Sequence, residues 1–104
     1  MPRDADIVEP EIVELIERTV RESMQPFGLK SVDVRAGEDH DGDPVIFVEA
    51  HYELSEAPVD TMVIIELDDK LWERLWNAGE KRFPHVRHRF DERQEVRSRR
   101  RSRA

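Results

Sequence analysis

The chain has no cysteine. Disulfides, thiolate metal ligands and thiol nucleophiles are therefore excluded, and a small core must hold without a covalent staple. Long hydrophobic runs are also missing. No apolar stretch approaches the roughly 18 residues a membrane span requires, and charges follow the opening residues where a secretory leader would be apolar. The expectation is a cytoplasmic protein without membrane contact. Glycine is scarce, at four residues, and none forms a phosphate loop after a strand or a GxSxG elbow. No Ser/His/Asp arrangement stands out. These absences argue against an enzyme and call for no cofactor.

What the chain has is charge, unevenly placed. Residues 1–80 hold 21 acidic and 7 basic side chains, whereas residues 81–104 hold 10 basic and 3 acidic ones. The closing RSRRRSRA has no apolar residue larger than alanine. It cannot offset its chain entropy by burial, so residues 93–104 are expected to be a disordered tail. Residues 1–8 are expected to be a flexible lead-in and 9–92 a single domain, in keeping with a 104-residue length.

Within that domain the apolar pattern changes period. A helix should start near Glu9-Pro10, because proline's missing N–H costs nothing in the first turn. Ile12, Val13, Leu15, Ile16, Val20 and Met24 then recur at helical spacing. Pro26 and Gly28 end it. Strand alternation follows: Val32, Val34 and Ala36 share one face of Leu29 to Ala36, and Ile46, Val48, Ala50, Tyr52 and Leu54 share one face of Val45 to Leu54. The Asp41-Gly42 pair between them predicts a hairpin. Asp60 is a suitable helix N-cap. A second helix is expected from about Thr61 to about Arg82, with Val63, Ile64, Leu67, Leu71, Leu75 and Ala78 facing the sheet. Val86, His88 and Phe90 alternate with His85, Arg87 and Arg89, which leaves residues 84–91 open between a third strand and a loop. The fold class is α+β, a small two-layer domain of order α-β-β-α(-β), with an antiparallel hairpin sheet and two helices packed on one face.

Three surfaces are candidates for function. Ile65, Trp72 and Trp76 project about 100° or more from the centre of the second helix's apolar stripe. Tryptophans so placed are large anchors for protein contacts. The leading expectation is a non-enzymatic interaction protein, self-associating or docking on a protein partner through these three residues. The alternative is an RNA- or DNA-binding accessory protein that uses Arg87, Arg89, Arg97, Arg99, Arg100, Arg101 and Arg103 on phosphates. Third, Glu49, His51 and Glu53 share the open sheet face near Asp33 and Arg35. Their residue types suit acid/base work or a metal, but simple strand alternation gives the same spacing, so no metal is assigned. DHDGD at residues 39–43 resembles the start of a calcium loop, but no glutamate closes it: position twelve is Ala50.

The segment Pro84-His85-Val86-Arg87-His88-Arg89-Phe90-Asp91-Glu92 is similar to the last strand of ribosome-binding factor A and its KH-type relatives, which begins with proline and ends in an aromatic followed by Asp-Glu. Asn77-Ala78-Gly79 resembles that family's small-residue kink, and the order of elements is also similar. The resemblance implies binding to structured RNA and assigns no individual residue.

Overall fold

Pro10 stands at the start of α1 (Pro10–Met24), where the Glu9 carbonyl accepts from the backbone N–H groups of Ile12 and Val13. The computed structural model describes residues 7–53 and 59–90 of the chain. Ile12, Ile16, Thr19, Val20 and Met24 form the buried face of α1. A single 3-10 turn, Gln25–Phe27, ends at Gly28, whose φ of 87° lies in the left-handed region open to glycine. The chain then enters β1 (Leu29–Glu38), turns and returns as β2 (Pro44–Tyr52). The turn is stapled by Asp39, whose carboxylate accepts from the backbone N–H of Asp41 and Asp43 at 2.9 and 3.0 Å. These bonds hold its carboxyl below the usual carboxylate range, the one from Asp43 contributing most. The acids of the DHDGD segment thus shape a turn.

α2 (Thr61–Asn77) begins where the Asp60 side chain accepts from the Met62 N–H at 2.9 Å. It ends five residues before the expected Arg82. Gly79 adopts φ 88°, its N–H bonds the Trp76 carbonyl, and the Glu80 N–H bonds the Leu75 carbonyl. This paired closure is a Schellman stop, so Gly79 terminates the helix. The chain then forms β3 (Phe83–Arg89), which settles most of residues 84–91 as strand.

The sheet has the order β1-β2-β3. The hairpin β1–β2 is antiparallel, as expected, and β3 joins β2 in parallel across the α2 crossover, so the complete sheet is mixed. Parallel neighbours require such a crossover. Helix-facing Val32, Ile46, Val48, Ala50 and Tyr52 join Ile12, Ile16, Val20 and Met24 of α1 and Leu67, Leu71 and Leu75 of α2 in one core. The domain is α+β, with both helices on one sheet face. Between the helices, Arg74 of α2 donates to Thr19 Oγ1 and to Glu22 of α1 at 3.1 and 3.0 Å.

Of the expected lead-in, residues 7 and 8 are described: Arg82 donates to the Ile7 carbonyl at 2.8 Å, and Val8 packs against the core. Residues 1–6, the expected tail 93–104 and Leu54 lie outside the described residues.

Candidate functional site: the outer face of α2 and the open sheet face

The core side of α2 is filled by Leu67, Leu71 and Leu75, each 1% exposed or less. Ile65, Trp72 and Trp76 fall on the other side of the same helix, and no element among the described residues covers them. They are 46%, 47% and 52% exposed, so neither indole serves as core. The two rings stack on one another, with centroids 5.6 Å apart and planes at 14°. Their i, i+4 spacing brings them together on one side of the helix. Met62, 57% exposed, extends the same stripe toward the N-terminus. Sequence reading left Met62 out, although its spacing from Ile65 was signal enough.

Beside this stripe runs a second one. Glu66, Asp69 and Glu73 are exposed and lie three and four residues apart on the flank of the tryptophans. Asp68 is exposed too, and its carboxyl is pushed above the ordinary value, first by desolvation and then by the charge of Asp69. The two cations of α2 do not neutralise these acids. Lys70 reaches Ser23 at 3.4 Å and Arg74 reaches Thr19 and Glu22, so both turn toward α1. Among the described residues, the outer face of α2 therefore presents stacked aromatic surface bordered by negative charge that Lys70 and Arg74 do not pair with.

The other candidate lies on the opposite side of the molecule. On the open sheet face, Asp33 is paired in register with Glu49, and Glu49 with Arg87. Two carboxylates directly opposite each other repel, and here a histidine and an arginine lie against them. His51 Nε2 sits 3.0 Å from Asp33 and 3.5 Å from Glu49. Arg89 Nε donates to Glu49 at 2.6 Å, and this bond is the main reason its carboxyl titrates low. The sequence grouping of Glu49, His51 and Glu53 is thus corrected in one member. Asp33, Glu49 and His51 have ligand-capable atoms within 4.8 Å of one another. Glu53 follows the end of β2, where its backbone N–H bonds the Gly28 carbonyl. The three converging side chains suit a divalent ion in type, but Arg89 already engages Glu49. Their present chemistry is that of a polar surface cluster anchored by the Arg89–Glu49 ion pair.

Arg87 and Arg89 both project from this open face, beside Phe47, Phe83 and His85. The Arg35 guanidinium lies 4.7 Å from the centre of the Phe47 ring. Arg97, Arg99, Arg100, Arg101 and Arg103 lie outside the described residues. His85 and His88 fall on opposite faces, as an extended segment requires, so they form no pair. His88 turns inward, where its Nδ1 lies 2.7 Å from the Tyr52 hydroxyl and its Nε2 has no partner among the described residues.

No family model matches the chain, and no curated protein matches it. Two solved structures do, both from work on the mode of action of CzrB, a proposed zinc transporter. The first is 22% identical, with a TM-score of 0.44, and the match covers 81% of this chain and 98% of that one. The second, a zinc form, is 20% identical, with a TM-score of 0.42, covering 93% and 98%. Among the described residues, no helix is long and apolar enough to cross a membrane.

Proposed function

We propose that this protein is a non-enzymatic interaction module that docks a basic, arginine-bearing protein segment on the outer face of α2, through Trp72, Trp76 and Ile65. One observation carries the reading: two indoles stacked on each other, each about half exposed, on a helix whose core side is complete without them. Burying such area is favourable at roughly 25 cal/mol per Å² before the cost of association. The bordering acids decide the kind of partner. A two-fold contact of this face with itself would oppose the Glu66, Asp69 and Glu73 rows of two copies, and like charges brought together and desolvated repel. An arginine side chain suits both stripes, because its planar guanidinium stacks on indole while pairing with carboxylate.

The test is a titration of a fluorescently labelled oligo-arginine peptide, read by anisotropy. The protein is the full chain with Arg97, Arg99, Arg100, Arg101 and Arg103 replaced by Gln, so that the peptide meets no basic competitor from those positions. Binding should weaken about tenfold when Trp72→Ala and Trp76→Ala are added, the equivalent of one good aromatic contact. An oligo-lysine peptide should bind less tightly. Affinity indifferent to the loss of both indoles would reduce the interaction to bulk charge and overturn the proposal.

A second reading has its own observation. The open sheet face carries Arg35, Arg87 and Arg89 among Phe47, Phe83 and His85, a combination that suits bases and phosphates. It supports the alternative of an RNA- or DNA-binding accessory protein. The pairing of Arg89 with Glu49 and the acids of that face weigh against it. An RNA titration at two salt concentrations separates the readings. Binding that steepens at low salt and is lost in Arg87→Ala would move the function to the sheet.

A further inference from the structure

We infer that the resident occupant of the α2 face is this chain's own arginine-rich segment, residues 97–103, docked on the tryptophan and acidic stripes of the same molecule. The inference rests on the proposed reading of that face and names its partner.

Charge is the first argument. The segment 97–103 has five arginines in seven residues and no acid. On the body, Glu66, Asp69 and Glu73 form an exposed row on α2, whose only two cations are drawn away to α1. The acidic row and the arginine run are thus opposite in sign, and neither Lys70 nor Arg74 of α2 turns toward the row. Both stand beside what the other needs. The acids flank stacked indoles, and the cation is of the kind that stacks on them.

Chain geometry is the second. β3 runs parallel to β2, so Phe90 emerges at the end of the sheet where β2 stops, and its ring stacks on that of Tyr52 at 4.6 Å. α2 sets out from the same end, after Asp60. From Thr61, Trp72 and Trp76 lie about 17 and 23 Å along the helix axis at 1.5 Å per residue. An extended chain leaving Phe90 spans about 23 Å by residue 97 and about 43 Å by residue 103, at some 3.3 Å per residue. The arginines therefore come within reach of the whole stripe from Ile65 to Trp76, with length left to pass around the helix. Tethering also raises the local concentration of the segment to about the millimolar range, so modest intrinsic affinity suffices for occupancy. Docking of this kind makes the segment a competitor for any external basic partner, which must displace it.

The experiment compares the full natural chain with the full-length variant in which Arg97, Arg99, Arg100, Arg101 and Arg103 are Gln. Both keep every residue of the folded domain. The readout is quenching of indole fluorescence by acrylamide, a neutral probe indifferent to the changed charge. At low salt the natural chain should be quenched about twofold less efficiently than the variant, as expected for guanidinium groups lying on the rings. The difference should vanish near 1 M salt, where the screening length falls to about 3 Å. A synthetic peptide of residues 97–104 should restore protection to the variant, and the natural chain should sediment as a monomer.

Equal quenching of the two proteins at low salt, with the peptide still protecting the variant, would overturn the inference and leave the docking face standing. Equal quenching of the two proteins at low salt, with the peptide giving the variant no protection even at about millimolar concentration, would remove both. A sedimentation coefficient that rises with concentration would place the segment on a neighbouring copy and overturn the intramolecular arrangement.

Discussion

The Tyr52 hydroxyl and His88 Nδ1 stand 2.7 Å apart on the helix-facing side of neighbouring strands β2 and β3. Burial pushes the His88 imidazole below its ordinary value near 6.5 and pushes the Tyr52 phenol up. The folded protein therefore keeps His88 neutral at a pH where the unfolded chain would protonate it. Stability from this site is complete above about pH 6.5 and declines as the pH falls from there through the lowered folded value, because the unfolded chain takes up the extra proton. Urea midpoints measured between pH 7.5 and 5 should fall with pH. His88→Leu should flatten that slope, and a slope unchanged in the variant would assign it to other groups.

Gly79 is expected to resist substitution for a backbone reason alone. A side chain there would meet nothing within 4 Å, yet the residue holds φ 88°. Gly79→Ala should cost about 1 kcal/mol or more in chemical denaturation, since alanine enters the left-handed region with strain. Loss of far less would mean that the Schellman closure relaxes freely.

Much of this architecture is legible in the sequence, because it follows from period. The α1 stripe, the alternation of β1 and β2 and the Asp41-Gly42 turn each need only local information. The end of α2 was misplaced at Arg82 because helical residues continue past Asn77, and the stop comes from one glycine's φ and two backbone bonds across the last turn. The parallel pairing of β3 depends on where the crossover returns, which residues 83–89 do not encode by themselves. The polar cluster on the sheet shows the same limit. Strand alternation grouped Glu49 and His51 with Glu53, whereas cross-strand register brings Asp33 to them from β1. The tryptophan flank was legible because helical projection alone places it, and the neighbouring acids at 66, 69 and 73 carried the same signal.

The two sides of α2 should respond to truncation in opposite ways. Leu71 is fully buried, and Leu71→Ala should cost about 2–5 kcal/mol, a large share of a small domain's stability. Trp72→Ala with Trp76→Ala removes far more side chain, yet should change stability by only about 0.5 kcal/mol, as surface substitutions do. Thermal or urea unfolding of both proteins checks this. A tryptophan pair that proves as costly as Leu71 would mean that the indoles support the fold.

Asp33, Glu49 and His51 give a direct ion test. A site that held a divalent ion would raise the melting temperature by linkage as the ion is added. With Arg89 bonded to Glu49 at 2.6 Å, the expected result is no shift in the natural chain. A rise abolished by His51→Ala would show that the ion displaces Arg89.

The docking claim is tested most directly by the two indole N–H signals, which report on Trp72 and Trp76 alone, since the chain has two tryptophans. In a nitrogen-15 correlation spectrum of the full chain with its five tail arginines changed to Gln, added oligo-arginine should shift both indole signals and the amides of Ile65 and Asp69. Glu49 and Arg87 on the opposite face should stay in place. Movement of the sheet-face signals while both indoles remain still would contradict the account.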